Sequence, residues 1–168
     1  MRAVITFLAL IVFMTALPAL ASMPNVGEAA PALVIPRTDG EVFDLSKLKG
    51  KVVILHFWAT WCAPCREEMP ELAAYYQRAN PKNVEVLAIS VDRKHDIDNV
   101  KAVLHPLGFH GAMYNAATSN DWGSPSGIPA TYVIDREGVV KAVMMPDTTP
   151  LTESALTDAV KPLLSDKK

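Results

Sequence analysis

Two long apolar stretches stand out from an otherwise mixed chain: "AVITFLALIVFMTALPALA" at residues 3–21 and "VVILHFWA" at residues 52–59. The second is nearly continuous and rich in β-branched residues. That predicts a central strand over residues 51–59, buried on both faces. The rhythm then changes. Met69, Leu72, Ala73 and Tyr76 recur at helical spacing, so a helix is predicted from about Cys62 to Arg78, kinked by Pro70. "NVEVLAISVD" (83–92) predicts a second buried strand. "HDIDNVKAVLHPLG" (95–108) reads as a helix capped by Asp96 or Asp98 and ended by Pro106 and Gly108. A polar loop follows in "NAATSNDWGSPSG" (115–127). "PATYVID" (129–135) and "GVVKAVMM" (138–145) read as two strands joined by the turn "DREG". "TPLTESALTDAVKPLL" (149–164) reads as a C-terminal helix with Thr149 as cap and Pro150 at its first position. Near the N-terminus, "RTDGEV" sets Asp39-Gly40 between short apolar stretches, a hairpin signal. Strand, helix, strand, helix, hairpin and helix in that order predict an α/β domain with a mixed central sheet flanked by helices.

The first apolar stretch belongs to a different category. Arg2 precedes it, no charge interrupts it, and it ends in the small residues "ALA" after Pro18. This is the layout of a secretory signal peptide cleaved after Ala21. It is also just long enough to be retained as a membrane anchor. Either reading puts the body of the protein, residues 22–168, outside the cytoplasm as one domain. Composition agrees with one packed core: of 168 residues, 50% are apolar. The formal net charge is −2, and residues 1–21 hold a single charged residue, the cation Arg2, so the body is acidic. Such a balance does not attract phosphate backbones, and no nucleic-acid partner is expected.

The chain has two cysteines, Cys62 and Cys65, in "ATWCAPCREEMP" (59–70). A structural bridge is a poor reading, because closing so short a loop removes little unfolded-state entropy. A structural zinc site needs a second Cys or His pair, and His95, His105 and His110 are scattered. A reversible redox couple fits better. Cys62 stands where a strand gives way to a helix, and free N–H groups with the positive end of the helix dipole favour a thiolate there. Cys65 lies three residues on, on the same helical face and partly shielded. Disulfide exchange requires that combination: one thiol attacks and the other resolves. Pro64 suits the first turn, where its missing N–H costs nothing.

The segment "FWATWCAPCREEMPEL" (57–72) resembles the active-site segment of the thioredoxin superfamily. More narrowly it is similar to exported thiol-disulfide oxidoreductases of the TlpA/ResA type. "VGEAAPAL" and "DGEVFDLSKLKGKVVILHFWATWC" match that family's opening hairpin and first long strand, and "GIPATYVIDREGVV" matches its cis-proline strand and hairpin. The resemblance implies a thioredoxin-like fold with an N-terminal β-hairpin extension. It implies that Cys62 attacks, that Cys65 resolves, and that the Ile128–Pro129 bond is cis and lies against the disulfide. It also implies a protein-disulfide reductase acting on exported thiols, such as apocytochrome c cysteines. The partners it implies are substrate protein disulfides and a membrane electron-transfer protein as reductant. A monomer without metal or organic cofactor is expected. Two positions depart from the pattern: Ala63 follows the first cysteine where relatives often have glutamate or proline, and His56 stands where thioredoxin has a buried aspartate.

Trp61, Ala63, Pro64, Ile128 and Pro129 are the residues expected to meet substrate, with Trp61 as a wall of the groove. His56 interrupts a doubly buried strand, so it must be hydrogen-bonded and resists charging. It is a neutral core histidine or the acceptor of the proton that Cys65 must lose. Trp122 covers a sheet edge or meets a partner, and Glu67 and Glu68 read as surface charges complementing the helix start. Three other functions remain open. An oxidase would use the same cysteines at a different potential, and a copper-holding redox domain would use them as ligands. A peroxiredoxin-type peroxidase shares the fold, but its Pro-x-x-x-Thr-x-x-Cys arrangement is absent around Cys62.

Overall fold

The computed structural model describes residues 22–165 apart from Pro81. In chain order the strands are β1 (Leu33–Pro36), β2 (Val42–Asp44), β3 (Val52–Trp58), β4 (Val84–Ser90), β5 (His110–Met113), β6 (Ser119–Asn120), β7 (Ala130–Ile134) and β8 (Val140–Met144). The helices are α1 (Ala63–Arg78), α2 (Ile97–Leu104) and α3 (Glu153–Leu164). Five strands form the main sheet in the order β5-β4-β3-β7-β8, and a small sheet has the order β2-β1-β6. Strands β3, β4 and β5 run parallel, and β7 and β8 add antiparallel pairs. This is the predicted mixed α/β architecture.

All seven residues of β3 are buried, and the two packed layers explain its lack of alternation. Side chains of a strand point alternately to opposite faces. Val53, Leu55 and Phe57 pack with Leu33, Ile35 and Phe43 of the hairpin and with Trp122. Val52, Ile54 and Trp58 pack with Met69 and Leu72 of α1, Val100 and Leu104 of α2, and Leu156 and Val160 of α3. The helices therefore cover one face, and the N-terminal hairpin covers the other. Isolated bridges Ala29–Val139 and Arg37–Ala112 tie the N-terminal extension to the main sheet.

Several local expectations are corrected. The Asp39-Gly40 hairpin is present, its connection spanning residues 37–41 with Gly40 at φ 93°. "HGAM" (110–113) is an edge strand where the sequence pattern predicts no element. Four residues with a glycine carry too little periodicity to announce a strand, and pairing with β4 supplies the order. An added Cβ at Gly111 would meet Leu104 Cδ1 at 2.0 Å, so the leucine side chain would have to turn aside. The cap of α3 is Thr152, whose hydroxyl accepts from Ala155 N at 3.0 Å, so Thr149 and Pro150 lie outside the helix. Asp96 stands at the N-cap position of α2 without a side-chain capping bond. Pro70 lies inside α1 without ending it, and the buried stripe includes Cys65 and Tyr75, while Tyr76 stacks edge-on against Phe109. The expected leader or anchor at residues 1–21 lies outside the described residues. Among the described residues no helix is long and apolar enough to cross a membrane.

Candidate active site

Strand β3 ends at Trp58, and four residues later Cys62 is the N-cap of α1. Its backbone is extended (φ −85°, ψ 104°), and its sulfur accepts from Cys65 N at 3.3 Å. Sulfur thus occupies the place a capping oxygen usually takes, meeting one of the free amides of the first turn. The two sulfurs are bonded at 2.06 Å, with Cα atoms 5.3 Å apart. In the reduced state the same amide and the helix dipole would favour negative charge on Cys62. The expected asymmetry of exposure is small: Cys62 is 6% exposed and Cys65 not at all. Trp61, at 71%, is the prominent surface feature.

The turn before Cys62 is anchored by a residue that the sequence did not single out. Asp92, buried just beyond β4, accepts from Thr60 N at 2.9 Å, Thr60 Oγ1 at 2.7 Å and Ser90 Oγ at 2.7 Å. Its own N–H donates to Ser90 Oγ at 3.0 Å, and its carbonyl accepts from Asn115 Nδ2 at 3.0 Å. The clasp fixes residue 60, two positions before the sulfur. The only signal in the sequence is a lone carboxylate closing an apolar strand.

Trp61 and Ile128 line one cleft of about 400 Å³ together with Val91, Tyr114, Pro125 and Gly127. The Ile128–Pro129 bond is cis, as the resemblance implied, and Ile128 packs against the core layer that contains both cysteines. Pro129 is buried, whereas Ala63 and Pro64 are exposed on the first turn of α1. Trp122 is fully buried; its Nε1 donates to Pro31 O at 2.9 Å and its ring meets Tyr132 edge-on at 5.1 Å. It seals the hairpin side of the core, so a partner contact is excluded by burial. Glu67 is exposed, but Glu68 is half-buried; burial raises its carboxyl pKa, and it accepts from Leu151 N at 3.4 Å. Glu68 therefore links α1 to the start of α3 rather than serving as a free surface charge.

His56 is fully buried, and strand alternation turns it to the face of Ile54 and Trp58, the layer that holds Cys65. Its Nδ1 lies 2.8 Å from Thr131 Oγ1, and Nε2 is buried without a hydrogen-bond partner. Burial alone pushes its pKa down to about 4, so the ring is neutral near pH 7. Among the described residues no three His, Cys, Asp or Glu side chains gather as a metal site.

A family model described as the AhpC/TSA family matches residues 26–143. The chain is 33% identical over 132 residues to the thiol-disulfide oxidoreductase ResA of Bacillus subtilis, covering 79% of this chain and 72% of ResA. It is 32% identical over 157 residues to the thiol:disulfide interchange protein HelX of Rhodobacter capsulatus, covering 86% of this chain and 81% of HelX. Among solved structures it is similar to a thioredoxin-family thiol:disulfide interchange protein from Chlorobium tepidum, with a TM-score of 0.68 and 27% identity over 84% of this chain and 99% of that one. A second Chlorobium tepidum structure, described as a putative thiol:disulfide interchange protein DsbE, gives a TM-score of 0.61 and 28% identity over 86% and 100%.

Proposed function

The chain belongs to the AhpC/TSA family and is a thiol-disulfide oxidoreductase of thioredoxin-like fold, and from that premise we propose a protein-disulfide reductase run by Cys62 and Cys65. The observation that carries the reading is the sulfur of Cys62 capping α1 and accepting from Cys65 N, beside the exposed Trp61. In the dithiol state the Cys62 thiolate attacks one sulfur of a substrate disulfide and expels the other as a thiolate. Cys65 loses its proton and attacks Cys62 Sγ. The mixed disulfide breaks, its electron pair leaves with the substrate sulfur, and both substrate thiolates take up protons. Two electrons pass from the Cys62–Cys65 dithiol to the substrate, leaving the enzyme disulfide.

In this reading His56 accepts the proton of Cys65, directly or through one water. A neutral imidazole in the same buried layer supports that role, since Ala63 offers no acceptor. Trp61, Ala63, Pro64 and Ile128 form the surface that meets an extended substrate segment, with the buried Pro129 setting the turn behind Ile128. The substrates are exported protein disulfides, with apocytochrome c cysteines the class suggested by the resemblance. A membrane electron-transfer protein restores the dithiol. The protein works as a monomer outside the cytoplasm, exported by residues 1–21 with or without their removal.

The reduction potential of the Cys62–Cys65 couple tests the direction. A value near −270 mV or lower, the range of thioredoxin, supports a reductase; one near −120 mV makes the protein an oxidase.

A further inference from the structure

We propose that Thr131 is a positioning residue for the exchange reaction: its hydroxyl oxygen accepts the Nδ1–H of His56 and so keeps Nε2 bare to take the proton of Cys65. The inference rests on the reading of His56 as that proton's acceptor. The contact, Nδ1 to Oγ1, is 2.8 Å, and both side chains are fully buried. Strand register sets it rather than side-chain freedom, because His56 and Thr131 are direct partners across the antiparallel β3–β7 pair. Strand β7 starts at Ala130, directly after Pro129, so the strand that carries the partner of the buried imidazole follows directly on the cis-proline.

The tautomer follows from the role assigned to His56. A neutral imidazole carries a single N–H, on one nitrogen or the other. Nε2 is buried with no partner. An N–H placed there would leave no lone pair on Nε2 to receive the Cys65 proton. Placed on Nδ1, the hydrogen meets Thr131 Oγ1 at 2.8 Å and leaves the Nε2 lone pair free.

The steps balance. Nε2 takes H⁺ from Cys65 Sγ, and the ring becomes an imidazolium whose Nδ1–H bond to Oγ1 is now charge-assisted and stronger. The Cys65 thiolate then bonds to Cys62 Sγ. The bond from Cys62 to the substrate breaks toward the substrate sulfur, which is protonated by the imidazolium or by solvent. Thr131 therefore steadies the protonated ring at the moment it forms.

The test compares the full-length reduced protein with Thr131→Val, Thr131→Ser and His56→Phe. Single-turnover kinetics separate the attack by Cys62 from resolution by Cys65, and side-chain ¹⁵N shifts report the His56 tautomer. Valine has the shape of threonine without the hydroxyl. It should move the ring to the Nε2–H form and slow resolution about 10- to 100-fold, the scale of one lost bond to a charged group. Attack should stay within about twofold, and serine should restore both tautomer and rate. If Thr131→Val resolves at the wild-type rate while His56→Phe is slow, the role of Thr131 is overturned and that of His56 stands. If His56→Phe also resolves normally, the reading of His56 fails and this inference with it. An Nε2–H tautomer in the wild-type protein overturns the inference without any variant.

Discussion

Replacing Asp92 by alanine should loosen the turn that presents Cys62. The carboxylate accepts three hydrogen bonds: Thr60 N and Ser90 Oγ at one oxygen, Thr60 Oγ1 at the other. Alanine removes the acceptor altogether, so Thr60 N, the Thr60 hydroxyl and the Ser90 hydroxyl all lose it, while Ser90 Oγ still accepts from the N–H of residue 92. With about 1–3 kcal/mol for each buried bond left unmade, the cost is about 2–4 kcal/mol. That is a large share of a typical stability of about 5–15 kcal/mol. With a urea slope of about 2 kcal/mol/M, the unfolding midpoint should fall by about 1–2 M with the slope unchanged. Below the transition, attack by Cys62 on a protein disulfide should slow at least about tenfold, since displacement of a reacting atom by a fraction of an ångström is costly. A midpoint shift under about 0.3 M with an unchanged attack rate would refute the clasp as the element that positions the sulfur.

Two further outcomes follow from burial. His56 has a folded pKa of about 4 against an ordinary value of 6.5, so between those pH values the unfolded chain binds a proton that the folded chain refuses. Stability is therefore full above about pH 6.5, falls as the pH drops, and has lost about 3 kcal/mol once below about 4; urea titrations across that window should show a slope that His56→Phe removes. Trp61 is 71% exposed, so Trp61→Ala should change stability by less than about 0.5 kcal/mol while raising KM for a protein disulfide about tenfold, read by steady-state reduction.

The cysteine pair, its helix start and the long strand before it are legible because each has a local cause: β-branched residues, an apolar run and a cap. The hairpin is legible from its Asp-Gly pair, though not the length of its turn, which the pairing of β1 with β2 determines. What the sequence cannot display are contacts set by register and long-range packing. Thr131 looks like any strand threonine until β7 lies against β3 and places it opposite His56. Asp92 is a strand-end carboxylate until Thr60, 32 positions earlier in the chain, comes into reach. Trp122, in a polar loop, gives no sign of being core, because what buries it is the N-terminal extension, 91 positions away at Pro31 O. Glu68 reads as a free surface charge for the same reason, since Leu151 lies 83 positions away on the approach to α3.

The claim on which the rest depends is that Cys62 attacks and Cys65 resolves. Cys65→Ala and Cys62→Ala proteins, each reduced and mixed with a disulfide-bonded substrate protein, should be run without reductant and their adducts mapped by mass spectrometry. The account predicts a stable mixed disulfide through Cys62 in Cys65→Ala, lost on adding dithiothreitol, and none in Cys62→Ala, because Cys65 is fully buried. An adduct through Cys65 in Cys62→Ala, with none in Cys65→Ala, would contradict it.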